Sequence, residues 1–161
     1  MTIRPALPAD ADRICAVVRA SILELCHADH HGDPEILRLW LANKTPENVL
    51  RWLASPDNIN LVAVDGDTML AAGCVTRAGE VVLNYVSPQA RFRGVSSELL
   101  GALEEQARTA GNDRCRLDST VTARRFYLAR GYHEVGAPGE IFGLVSYPMA
   151  KALPERPGTP G

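Results

Sequence analysis

The sequence predicts a single α/β domain built on a mixed, mostly antiparallel sheet of about six to seven strands flanked by helices. Three observations carry that prediction. Helical and extended periodicities alternate along 161 residues, a length that fits one domain with a core of its own. Two glycine turns, Asp65-Gly66 and Ala78-Gly79, join three consecutive extended runs as hairpins. A long amphipathic segment then separates the third run from a further extended one, and a crossover helix of that kind makes its two strands parallel.

Taken in order, Thr2 to Arg4 reads as a short strand, and Asp10 to Cys26 as a helix with an apolar face of Ile14, Val17, Val18, Ile22 and Leu25. Ala28 to Gly32 reads as a polar turn. Asp33-Pro34 and Thr45-Pro46 each put a strong capping residue before a proline at the first helical position, which predicts helices over Pro34 to Asn43 and Pro46 to Ala54. The extended runs are Ile59 to Val64, Thr68 to Thr76 and Glu80 to Val86. A helix over Val95 to Ala110, with Leu99, Leu100, Leu103 and Ala107 inward, leads to a strand at Arg114 to Asp118. A further helix carries Tyr127 and ends at Gly131, followed by strands at Tyr132 to Val135 and Ile141 to Met149. The domain is thus expected over residues 1–151, with a mobile proline- and glycine-rich tail over 152–161.

Composition excludes several roles. A net charge of -2, with no basic stripe and no aromatic platform, argues against a nucleic-acid partner. Cys15, Cys26, Cys74 and Cys115 form no Cys-x-x-Cys pair and read as reduced thiols of a cytoplasmic protein. Met1 to Pro5 carries no apolar signal core and no run is long enough to cross a bilayer, so no membrane partner is expected. The cluster Cys26-His27-Ala28-Asp29-His30-His31 has metal-ligand residue types, but neighbours so close in sequence cannot all converge and no second ligand group stands nearby, so no metal is predicted.

The chemistry concentrates where the run Val81 to Val86 breaks at Ser87-Pro88 into Arg91-Phe92-Arg93-Gly94-Val95-Ser96 and then the amphipathic helix. A strand, a basic turn and a helix N-terminus leave backbone N–H groups unpaired, with the positive end of the helix dipole behind them. Such a junction suits a phosphorylated ligand. An arginine-rich turn that merely caps a surface helix would read the same way locally.

The pattern Arg91-x-x-Gly94-x-Ser96, preceded by Val86-x-Pro88 and followed by Leu99-Leu100, resembles the acyl-CoA pyrophosphate loop of the GNAT superfamily of N-acyltransferases. That loop reads Gln or Arg, two free positions, Gly, one free position, then Gly or Ala, and Ser96 departs from it at the last place. A second stretch, Thr122-Ala123-Arg124-Arg125-Phe126-Tyr127-Leu128-Ala129-Arg130-Gly131-Tyr132, is similar to the family's Asn-Ala-x-x-Phe-Tyr-x-x-x-Gly-Phe signature, with Thr122 and Tyr132 as exchanges.

The resemblance implies a sheet splayed beside the fourth strand, with acetyl-CoA as the acyl-donor cosubstrate. Tyr85 and Val86 would bond the pantetheine arm, and Arg91, Phe92, Arg93, Gly94, Val95, Ser96 and Ser97 would hold the pyrophosphate. It further implies N-acetyl transfer to the amine of a small molecule or peptide by direct attack, with Tyr127 as the acid that protonates the leaving thiolate. Glu80 stands at the spacing of the base in histone-type members, and reads equally as a polar residue after a turn. Regular alternation would put Glu80, Val82 and Asn84 on one face, with Asn84 on the acceptor side. The turn holding Asp29 and His30 is where family members line the acceptor pocket, and is otherwise a solvated loop. Homodimers are common in the family. A non-catalytic module that binds or senses acyl-CoA is the alternative reading.

Overall fold

The computed structural model describes residues 1–155. Two four-stranded groups of strands meet side by side. The first sheet runs in the order β1 (Thr2–Pro5), β2 (Asn58–Asp65), β3 (Thr68–Thr76) and β4 (Val81–Val86), antiparallel throughout. In the second, β8 (Leu144–Ala152) lies between β5 (Arg114–Ser119) and β6 (His133–Glu134) and also pairs with β7 (Gly139–Ile141). The expected parallel pair survives only as a bridge between Glu80 and Arg116, where the Arg116 N–H donates to the Gly79 carbonyl at 2.9 Å.

Helices cover both faces of the first sheet. α1 (Ala11–Leu25), α3 (Pro34–Leu41) and α4 (Pro46–Ala54) pack on one side, where Ile14, Val18, Ile22, Trp40 and Val49 are buried. α5 (Val95–Thr109) packs on the other through Leu99, Leu100, Leu103 and Ala107, all essentially inaccessible. Gly73 of β3 lets α5 approach closely, since a Cβ there would lie 2.8 Å from Leu103 Cδ1. The caps read from sequence are formed. The Asp33 carboxylate accepts from the N–H groups of Glu35 and Ile36, and Thr45 Oγ1 accepts from that of Asn48.

Local geometry differs from the sequence expectation in four places. The polar turn at Ala28 to Gly32 begins with a short helix, α2 (His27–His30), which closes on left-handed His31 (φ 51°). The last predicted strand is a hairpin instead, because Phe142 and Gly143 both take positive φ, 57° and 80°, and turn the chain back between Ile141 and Leu144. Ala152, assigned to the tail, still belongs to β8, and the Leu153 N–H donates to the Asp113 carbonyl at 2.8 Å. Residues 156–161 of that tail lie outside the described residues.

The fourth difference shapes the site. In the β3–β4 ladder Cys74 pairs with Leu83 but Val75 pairs with Val81, so Val82 is an extra, bulged residue. Val81 packs with Val86 against the α5 core, while Leu83 and Tyr85 pack on the α1 side. An inserted residue inverts the alternation, and Glu80 therefore does not share a face with Asn84.

At the N-terminal end of α1, Asp10 is only 1% exposed and accepts from Arg4 at 2.8 and 3.0 Å, Arg13 at 2.9 Å and the Leu7 N–H at 2.8 Å. The Arg4 hydrogen bond outweighs burial and draws its pKa down to about 2. A carboxyl depressed in the native state stabilises it above the unfolded pKa of about 4, and that contribution is lost as pH falls through the native value. Asp10→Asn is expected to cost about 2 kcal/mol at pH 7 and to flatten the fall in stability between about pH 4 and 2. Denaturant melts of both proteins across that range check this, and parallel acid limbs would rule it out.

Candidate active site

Past the Glu80–Arg116 bridge, β4 bonds only to β3 and β5 only to β8, so their facing edges diverge. A cavity of about 380 Å³ fills the gap. Its walls are residues 81–86 of β4 and Leu117 and Asp118 of β5, and it reaches Ser21, Leu25 and Cys26 at the end of α1.

The loop from Ala90 to Ser97 lines the cavity through every residue but Arg93. Gly94 takes φ 75° and immediately precedes α5, with no side-chain cap on that helix. The first intrahelical bond runs from the Glu98 N–H to the Gly94 carbonyl, so the N–H groups before Glu98 stay open for an anion. A Cβ on Gly94 would meet no atom within 4 Å, which marks free space above the helix end. Arg91 lies 4.4 Å over the ring of Phe92, a residue held at φ 65° and 90% exposed. Arg130 approaches from α6 (Arg124–Ala129), just past its end. Its Nε donates to Ser97 Oγ at 2.6 Å, and its guanidinium covers Phe126 at 4.7 Å. These cations and open amides suit an anionic, phosphorylated ligand.

Tyr127 lines the same cavity. Its ring is wedged between Phe126 and Tyr132, and its hydroxyl accepts a hydrogen bond from Asn84 Nδ2 at 3.2 Å. Burial pushes the phenol up to about 12, partly opposed by the Asn84 bond. The group is therefore protonated near neutral pH, and with Asn84 as donor its own proton remains free to point at a ligand. Tyr85 and Val86 face the same opening from β4.

The remaining predicted residues sit elsewhere. Asp29 is buried, and its carboxylate accepts from the N–H of Val121 at 2.7 Å, from that of Thr122 at 3.2 Å and from the Thr122 hydroxyl. It fixes the turn that leads into α6. His30 is 1% exposed, with Nε2 against the Ile22 carbonyl at 3.0 Å and Nδ1 accepting from the Gly32 N–H at 2.9 Å. Both side chains are consumed by the scaffold, and from that turn only Cys26 reaches the cavity. Glu80 lies outside this cavity, half exposed, 3.7 Å from Arg116. The expectation that Glu80 shares a face with Asn84 is corrected by the bulge at Val82.

Ser21 and Asp118 line the cavity without having been read from sequence as part of a site, while Cys26 belongs to the turn expected at the acceptor pocket and Thr122 to the second family-like stretch. Of the first two, only Asp118 had an available signal, since the crossover brings its strand beside β4. Burial raises the Cys26 thiol to about 12, with the Asp29 charge adding to it, which leaves no thiolate for covalent catalysis. No group of three His, Cys, Asp or Glu among the described residues could hold a metal ion, and no helix there is long and apolar enough to cross a membrane.

Comparison with known proteins agrees with this geometry. The family model of the acetyltransferase (GNAT) domain matches residues 30–153. A GCN5-related N-acetyltransferase from Rhodopseudomonas palustris superposes with a TM-score of 0.84 at 26% identity, covering 94% of this chain and 95% of that one. The PaiA N-acetyltransferase from Thermoplasma acidophilum, crystallised with coenzyme A, gives 0.80 at 19% identity over 94% and 98% of the two chains. YncA of Salmonella typhimurium, with acetyl-CoA, gives 0.73 at 21% over 99% and 98%. No curated protein matches the chain by sequence. A splayed β4–β5 pair beside an open helix N-terminus, found in a chain whose residues 30–153 match that family model, makes this protein a member of the GNAT acetyltransferase family.

Proposed function

We propose that the protein is an N-acetyltransferase that passes the acetyl group of acetyl-CoA to the primary amine of a small molecule or peptide by direct attack. The observation that carries this reading is the buried Tyr127 hydroxyl, which accepts from Asn84 and keeps its own proton available within the β4–β5 cavity. The Arg91–Ser97 loop holds the pyrophosphate, with Arg91, Arg93 and the amides of Val95, Ser96 and Ser97 opposing its charge. The pantetheine arm lies along the open edge of Tyr85 and Val86. The amine attacks the thioester carbonyl, the C–S bond breaks, and Tyr127 protonates the departing thiolate. Separate groups handle donor binding and proton delivery, which supports a transferase over a module that only binds acyl-CoA.

Melting the protein with and without acetyl-CoA tests the first half. Ligand at about 100 times its dissociation constant adds about 2.7 kcal/mol to the native state, so a clear upward shift is expected. Release of CoA on adding primary amines tests the second half. Stabilisation without release for any amine would favour the sensing module, and no stabilisation would remove the donor site.

A further inference from the structure

We infer that the acceptor is a small cationic amine without a carboxylate, and that it enters through a second cavity in which Asp118 binds its ammonium group and takes up its protons. This rests on the acetyl-transfer reading above. The second cavity, about 360 Å³, lies at the closed end of the β4–β5 splay, with Glu80 and Arg116 on one side and Val135, Pro148 and Met149 on the other. Val81, Val82, Leu117 and Asp118 line both cavities, which therefore adjoin and share this stretch of wall.

Asp118 is the ionisable group on that wall. Along β5, Cys115, Leu117 and Ser119 are buried and Arg116 and Asp118 are exposed, so the Asp118 carboxylate projects away from the core. Its ladder partner is Pro148, which offers no charge and no N–H. Glu80 is taken up by Arg116, as Asp10, Glu35, Glu104, Glu105 and Glu134 are by other cations. No ion pair or hydrogen bond engages the side chain of Asp118 among the described residues. An open carboxylate between two cavities, one holding the acid Tyr127, is placed to orient an ammonium toward a thioester carbonyl.

The protons balance. The ammonium gives one proton through Asp118 to water. The free amine forms the C–N bond as the C–S bond breaks, and the nitrogen loses a second proton by the same route. Tyr127 supplies the thiolate and is reprotonated from water, so each turnover releases one proton net. The cavity is at the small end of the range for ligand pockets, and its Val135, Pro148 and Met149 surface suits a short hydrocarbon body. A carboxylate on the substrate would meet the charge of Asp118, since Glu80 and Arg116 offset each other.

The test uses the full chain with saturating acetyl-CoA and four probes: 1,4-diaminobutane, phenethylamine, glycine and glutamate. The wild type should favour the two amines over the two amino acids. Asp118→Asn should lower kcat/KM for 1,4-diaminobutane about 30-fold, the loss of one charge-assisted hydrogen bond, while acetyl-CoA affinity and melting temperature hold. Asp118→Glu should recover part of the rate, and Glu35→Gln, at an exposed ion pair that lines neither cavity, should stay within about threefold. An unchanged rate in Asp118→Asn, an equal loss in Glu35→Gln, or preference for the amino acids would overturn the assignment. So would a wild type that binds acetyl-CoA yet acetylates neither amine, whereas failure to bind acetyl-CoA would instead overturn the acetyl-transfer reading.

Discussion

Gly94→Glu is expected to weaken acetyl-CoA binding at least about 100-fold while the protein still folds. Two features of the position set that magnitude. The backbone sits at φ 75°, where a side chain costs about 1 kcal/mol, a modest loss of stability. The space above the Cα is open to 4 Å, so a side chain enters the volume in front of the uncapped α5 amides without striking protein atoms. A carboxylate there satisfies those amides itself and faces the phosphates with like charge, which costs several kcal/mol. Gly94→Ala separates the two effects, since it carries the backbone strain without the charge and should keep most of the affinity. Calorimetric titration of both variants with acetyl-CoA reads the difference. Affinity within about threefold of wild type in Gly94→Glu would move the phosphates away from this loop.

How much of this was legible in the sequence depends on how local the cause is. Helices α3 and α4 were read to within two residues because Asp33-Pro34 and Thr45-Pro46 carry their own capping chemistry. The turn and helix start at Gly94 were legible for the same reason, since a basic turn with glycine at a helix start acts within a few residues. The hairpin at Phe142-Gly143 was not, because its two-residue turn lacks the Asn or Asp that usually announces positive φ at the first position. The bulge at Val82 leaves no residue mark in a run of apolar side chains, yet it decides which β4 residues face the cavity. Asp29 and His30 look like pocket residues in isolation. The partners of Asp29, Val121 and Thr122, lie 92 and 93 positions along the chain, where no local pattern could reveal them.

Tyr127→Phe tests the acid directly. Removing one oxygen leaves the ring in place between Phe126 at 5.2 Å and Tyr132 at 5.4 Å, so the fold and the donor groove should persist. Asn84 loses its acceptor, which costs about 1–3 kcal/mol of stability if no other partner replaces it. The catalytic loss is expected to be larger, about 10²–10³ in kcat with the KM for acetyl-CoA unchanged, the usual worth of a positioned general acid. Positioning alone could also slow the enzyme, so the donor must be varied. p-Nitrophenyl acetate expels an anion that needs no proton at neutral pH, and with it the deficit of Tyr127→Phe should shrink to a few-fold. An equal deficit with both donors would mean that the hydroxyl orients the thioester and that the thiolate takes its proton from water. The pH profile gives a second reading of the same group. Burial raises the phenol to about 12, and a tyrosine raised in this way keeps its proton at any lower pH, so wild-type turnover should show no loss from Tyr127 ionisation below about pH 11.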